Sequence, residues 1–225
     1  MTQAIGTPAT ATIVSTTRAK TRALLAGGIA AGPLFLGTGA VQGLAQDGFD
    51  FTRNAISQLS LGDLGWIQVA SFLLTGALAI AGAAGIRHTL PGTAEGCWAP
   101  RLICVFGASF LLAAVFTADP GAGFPAGTPE APAASLSWHG ALHMLSAMVG
   151  FLALCASFLV LARHFAALRQ RGWALGSRLV PLGVLAGFAA SSATVLAFTA
   201  GAALGLLWLT AITARLATTI PATQN

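Results

Sequence analysis

Long apolar runs separated by short polar stretches dominate the chain. Six of them, at residues 23–43, 65–86, 102–118, 138–162, 179–198 and 203–217, approach the roughly 20 apolar residues a helix needs to cross a bilayer. The pattern predicts an all-α, polytopic transmembrane bundle of six spans. Residues 1–22 are expected to form a polar cytoplasmic segment without fixed structure, residues 23–217 the membrane domain, and residues 218–225 a short cytoplasmic tail. The sixth run is short and carries Arg215, and Thr199, Ala200, Gly201 and Ala202 form the turn expected before it. Five spans with one bent helix is therefore the alternative.

Composition removes the soluble classes. Of 225 residues 56% are hydrophobic and only 8% charged, with a mean hydropathy of +0.79, whereas roughly a quarter of the residues of a soluble domain are charged. The net charge of +5 does not indicate nucleic acid, because the basic residues are scattered between apolar runs instead of forming one face. They fit the positive-inside rule instead. Arg18, Lys20, Arg22, Arg87, Arg101, Arg163, Arg169, Arg171, Arg178 and Arg215 all fall on one side of six alternating spans. Asp47, Asp50, Asp63, Asp119 and Glu130 fall on the other, with Arg53. Both termini are accordingly expected in the cytoplasm, in a multi-pass plasma-membrane protein. The first apolar run follows a basic stretch, as in a signal peptide, but its length exceeds the roughly 7–15 residues of such segments and reads as a retained span. No cysteine falls in an outer loop, so no extracellular disulfide framework is implied.

Within the spans, most polar or small-residue features have an ordinary packing explanation. Gly28 and Gly32, and Gly39 and Gly43, repeat at the spacing that lets helix backbones approach, which reads as packing inside one bundle in preference to a dimer motif. Pro33 lies between the pairs and is expected to kink the helix. Trp66, Trp98, Trp138 and Trp173 read as interfacial anchors. The basic loop RHFAALRQRGWALGSR reads as a topology signal with some affinity for anionic headgroups. The chain has no internal repeat, phosphate-binding glycine loop, zinc-finger cysteine pair or nucleophile elbow.

The candidate chemistry gathers on the acidic side. The first outer loop, QDGFDFTRNAISQLSLGDLGW, carries Asp50, Arg53, Ser57 and Gln58; the second, TADPGAGFPAGTPEAPAASLSWHGALH, carries Asp119 and leads into His139 and His143. Long loops of this kind are often binding or lid segments. The i, i+4 spacing puts both imidazoles on one helical face. Three readings compete. With His139, His143 and Asp119 as ligands and an open position for water, a zinc ion would generate a nucleophile for lipid ester or amide hydrolysis. The H-x-x-x-H spacing alone is weak for this, because Gly140 stands where the soluble metalloprotease motif has Glu. In a structural reading, Asp50 or Asp119 pairs with Arg53 and the polar residues fix the loops to the helix ends. In a binding or transport reading, Asp50, Arg53, Ser57, Gln58, Asp119, His139 and His143 line an outward-facing polar pocket for a small molecule or lipid headgroup.

The segments RNAISQLSLGDLGWIQVASFLLTGAL, FTADPGAGFPAGTP and HGALHMLSAMVGF resemble a bacterial integral-membrane family catalogued as domain of unknown function 998. The resemblance runs from about residue 32 to 214 and implies a six-helix bundle. It places Ser57, Trp66, Gln68, Asp119, Pro120, Pro125 and His143 at recognisable positions, and it implies no activity. A more distant likeness is to membrane hydrolases of the alkaline-ceramidase type, which combine Ser, Asp and His around zinc, but this chain has too few histidines in its spans to be one of them. The leading expectation is a membrane protein that handles a small molecule or lipid at the outer face. A zinc-dependent lipid hydrolase is the runner-up, and a structural protein with no ligand is the third reading.

Overall fold

A computed structural model describes residues 8–131 and 135–220, with side chains from residue 16 onward. Six long helices account for most of it: α1 (Pro8–Ala45), α2 (Gly65–Thr89), α3 (Ala94–Val115), α4 (Trp138–Ala167), α5 (Arg171–Ala189) and α6 (Val195–Ala217). All six are long and apolar enough to cross a membrane, and the described residues contain no named strand. Each helix packs on its neighbours in sequence and α6 returns to α1, closing a ring. Three connections, α1–α2, α3–α4 and α5–α6, share one end of the bundle, the loop end. The other two connections occupy the opposite end with the two terminal segments.

Helix boundaries follow local chemistry. Thr93, Ser137 and Thr194 cap the starts of α3, α4 and α6, each side-chain oxygen accepting a backbone N–H of the first turn. The Thr194 cap corrects one expectation: residues 199–202 lie inside α6, and the break between the last two spans falls at a short 3-10 turn, Ala190–Ser192. The five-span alternative is thereby replaced by six separate helices. α1 already begins at Pro8 and its apolar part runs Thr16–Ala45; residues 1–7 lie outside the described residues. The helix continues through Pro33.

Close backbone approach joins the helices. A Cβ on Gly82 of α2 would meet the Gly28 Cα of α1 at 2.6 Å, and one on Gly76 would meet the Gly107 carbonyl oxygen of α3 at 2.6 Å. Gly32 abuts the Leu206 carbonyl of α6, while Gly39 and Gly43 abut Ile56 and the Phe49–Phe51 pair of the first loop. All four motif glycines of α1 are thus used inside the chain. Aromatic side chains fill much of the remaining interior, with Phe35, Phe72, Phe106, Phe110 and Phe151 in edge or tilted ring contacts. Trp66, Trp98 and Trp138 are exposed near helix ends, as interfacial anchors require. Trp173 departs from that role and is half-buried between Phe165 and Trp208.

Burial is uneven around the ring. On α5 it stops at Val184, and no residue from 185 to 200 is buried. The α5–α6 corner at the loop end is therefore exposed on its outer side, although the two helix backbones stay in contact there, Gly187 against the Ala197 carbonyl.

Candidate functional site

At the loop end the first and second long loops are clamped together by polar groups. Asp50 accepts the Thr52 amide and hydroxyl at 2.8 and 2.7 Å and pairs with Arg53 at 3.2 Å. Arg53 also reaches across to Glu130 of the second loop. Beneath this exposed pair, Asn54 is fully buried. Its side-chain oxygen accepts the Asp50 amide at 3.0 Å, and its nitrogen donates to the Gly121 and Ala122 carbonyls at 3.3 Å. Gln58 continues the seam, accepting the Ala55 amide and donating to the Asp119 carbonyl at 3.2 Å. These bonds hold a 3-10 turn, Ile56–Ser60, against the loop ends of α1 and α2, where it forms a roof.

Asp119 fixes the start of α4. Its carboxylate accepts the Ser137 amide at 2.8 Å and the Ser137 hydroxyl at 2.5 Å, and the Ser137 oxygen in turn accepts the Gly140 amide at 3.0 Å. A negative charge at a helix N-terminus is stabilised by the unpaired amides and the helix dipole. His143, one turn deeper, is buried. Its Nδ1 lies 2.8 Å from the Phe116 carbonyl oxygen; a carbonyl can only accept, so Nδ1 carries the proton and a neutral ring keeps Nε2 as an acceptor.

The Thr52 hydroxyl, then the Thr52 amide and the Arg53 charge, hold the Asp50 carboxyl below its ordinary value near 3.8, and Glu130, with Asp50 adding less, raises Arg53 further. A depressed carboxyl contributes stability above its unfolded pKa and loses it as pH falls through the folded value. Acidification below 3.8 is therefore expected to loosen the clamp. Amide hydrogen exchange, corrected for intrinsic rates, should speed up at residues 50–54 between pH 7 and pH 3 in wild type, with a smaller acid increment in Asp50→Asn. Equal increments in the two proteins would contradict the assignment.

Under the roof lies a cavity of about 380 Å³, at the low end of the roughly 300–1,000 Å³ of small-molecule sites. Its walls are mainly aromatic and aliphatic: Phe35, Phe72, Phe110, Phe151, Phe188 and Phe198 line it, with Ile56 and Ser57 above and His143 and Ser109 among the few polar contributors. Met144, Met148 and Ser191 also line it and are exposed on the outer surface of the bundle. The cavity therefore opens sideways, between α4 and the exposed α5–α6 corner.

This geometry redistributes the seven residues expected to form a polar pocket. Ser57 and His143 reach the cavity; Asp50, Arg53, Gln58 and Asp119 are instead the clamp and the α4 cap, and His139 is exposed, edge-on to the Trp138 ring at 3.9 Å between centroids. Arg53 pairs with Asp50 and Glu130, not Asp119. His139, His143 and Asp119 are not brought together: among the described residues no group of three or more His, Cys, Asp or Glu side chains is placed to hold a metal ion. The i, i+4 spacing does put both imidazoles near one helix end, but His143 turns to the α3 terminus and His139 stays outside.

Residues 29–218 match the family described as "Protein of unknown function (DUF998)". The chain belongs to this family. No curated protein and no solved structure matches it. The family assignment agrees with the six-helix architecture, and in this DUF998 member the segments that carry the resemblance are the roof, α2, the second loop and the start of α4, of which the roof, α2 and α4 contribute Ile56, Ser57, Phe72 and His143 to the cavity lining.

The sequence does not single out the aromatic lining. Phenylalanines inside apolar runs look alike whether they face lipid or a cavity, and only the phase of each helix separates them. Asn54 is visible as a loop residue, but its place at the centre of the clamp depends on bonds to carbonyls 67 and 68 residues away.

Proposed function

We propose that this DUF998 protein binds a lipid or lipid-like small molecule, one hydrophobic chain with a neutral polar head, in the cavity beneath the roof. The observation that carries the reading is the sideways opening of an aromatic-lined cavity within helices long enough to span a bilayer. An apolar guest dissolved in the membrane would reach the site without crossing water. The polar end of such a guest would find Ser57 and the acceptor nitrogen of His143, while the phenylalanines contact its chain. A guest of this class needs no charged partner, consistent with the use of Asp50, Arg53 and Asp119 in holding the loops.

In this reading the protein lies in the plasma membrane with both termini cytoplasmic and the cavity in the outer half of the bilayer. Ten of the eleven Lys and Arg residues stand at the end of the bundle that carries the termini, the side that the positive-inside rule assigns to the cytoplasm. The zinc-hydrolase reading lacks support from the positions of His139, His143 and Asp119.

Lipid extraction and mass spectrometry of protein purified in mild detergent tests the proposal, with Ala147→Trp as the comparison. Ala147 lines the cavity and is only partly buried, so an indole there fills the space without entering the closest-packed helix contacts. One co-purifying species enriched in wild type should fall by about tenfold in the variant, equivalent to about 1.4 kcal/mol of binding. An identical lipid complement in two equally monodisperse proteins would overturn the reading.

A further inference from the structure

A second feature of the interior is polar and independent of the lipid cavity. Gln68, Ser71 and Thr75 follow one another on α2 and are 0%, 3% and 0% exposed. Both polar atoms of Gln68, the hydroxyls of Ser71 and Thr75, and the side-chain oxygen of Gln42 on α1 are buried with no hydrogen-bond partner. None of these four residues lines the cavity under the roof. Gln42 sits at the head of the group, its nitrogen donating to the Leu59 and Leu64 carbonyls at 3.1 and 3.0 Å.

The spacing i, i+3, i+7 places the three α2 side chains along one helical stripe. At about 1.5 Å per residue it extends about 10 Å, from the roof toward the middle of the helix. Beyond Thr75 the same face continues with Ala79, Gly82 and Ala83, so the polar stripe ends there. Ser and Thr elsewhere in the bundle satisfy themselves on nearby helix carbonyls, as Ser109, Ser146, Ser157 and Thr213 do. Ser71 and Thr75 do not.

Hydrocarbon offers no partner to a polar group, so side chains held in a membrane interior are satisfied by protein or by water. Buried waters gather where several unpaired polar atoms converge, typically making about three hydrogen bonds each. Among the described residues no Asp or Glu is buried, so nothing in the stripe would neutralise a cation. The guest that matches a carboxamide and two hydroxyls, donors and acceptors without net charge, is neutral and small.

We infer that Gln42, Gln68, Ser71 and Thr75 form a hydration site that holds ordered water inside the bundle, from the roof to near the middle of α2. The water bridges the Gln68 carboxamide to the Ser71 and Thr75 hydroxyls and, with the Gln42 oxygen at the head of the stripe, accounts for all five unpaired atoms. It makes α2 a wet helix on one face in a bundle otherwise closed by glycine and phenylalanine.

High-resolution structure determination of the full chain in lipid nanodiscs decides the matter, with Gln68→Met as the comparison because methionine keeps the side chain's length and removes its polar atoms. Discrete solvent density within hydrogen-bonding distance of Gln68 and of Ser71 or Thr75 is expected in wild type, with its loss and a lower unfolding midpoint in the variant. Absence of solvent density at these side chains overturns the inference, and a midpoint raised by Gln68→Met would agree with that outcome, since a dry, unpaired carboxamide is better replaced by an apolar group. Elongated density in place of separate water peaks would overturn the assignment to water.

Discussion

Gly82→Val is expected to unfold or disperse the bundle. A Cβ at position 82 meets the Gly28 Cα at 2.6 Å and the Gly28 nitrogen at 2.9 Å. Both are backbone atoms in the middle of α1, so no side-chain rotation relieves the overlap and the two helices must separate. Separation also removes dispersion contacts along α1 and α2, which in lipid, without a hydrophobic driving force between helices, provide much of the association energy. The cost should lie at the upper end of the roughly 1–3 kcal/mol typical of overpacking, or beyond it. Gly37→Val on α1 supplies the control, because a Cβ there meets nothing within 4 Å. Reversible unfolding in mixed detergent should show a large loss for Gly82→Val and little change for Gly37→Val. Similar losses would mean that helix propensity, not the α1–α2 contact, sets the effect.

The second large effect is expected at Asp119. Asp119→Ala removes two hydrogen bonds to Ser137 and a negative charge from the α4 N-terminus. Loss of a capping interaction costs about 0.5–2 kcal/mol, and loss of the charge at a partly buried helix end adds up to about 2 kcal/mol. Asp119→Asn keeps an acceptor oxygen without the charge and should recover part of the loss. The same unfolding measurement checks the order: wild type, then Asn, then Ala. Hydrogen exchange at residues 137–140 should rise in the same order. An Ala variant as stable as wild type would show that the Ser137 cap holds α4 without Asp119. This assigns Asp119 a structural task, where the sequence alone leaves it open as a metal ligand.

Much of the architecture is legible in the sequence. Long apolar runs have one low-energy solution in hydrocarbon, the helix with all its backbone hydrogen bonds satisfied internally, so six runs imply six spans. The boundaries shift where capping outweighs hydropathy: Thr194 starts α6, and the Thr199–Ala202 stretch that reads as a turn continues the helix. The acidic loops are equally visible as a polar end of the molecule. Their internal pairings are not, because Arg53 has several carboxylates in reach along the sequence and only the folded second loop brings Glu130 to it. His139 and His143 show the same division, since spacing fixes which side of a helix two residues share but not what stands opposite them.

The sequence by itself determined that this protein is an all-helical membrane bundle, which end carries its acidic loops, and which family it belongs to. These follow from local hydropathy, charge and motif, and each is a property of residues near one another in the chain. Only the tertiary structure decided that Ser57 and His143 share an apolar cavity with phenylalanines from all six helices, that Asp50, Arg53 and Glu130 clamp the loops above it, and that Gln68, Ser71 and Thr75 are buried without partners. Those features depend on the rotation of each helix about its axis and on contacts between distant segments. Hydropathy is nearly uniform around most of these helices, so it does not fix that rotation; close packing at Gly28, Gly76, Gly82 and Gly107 does.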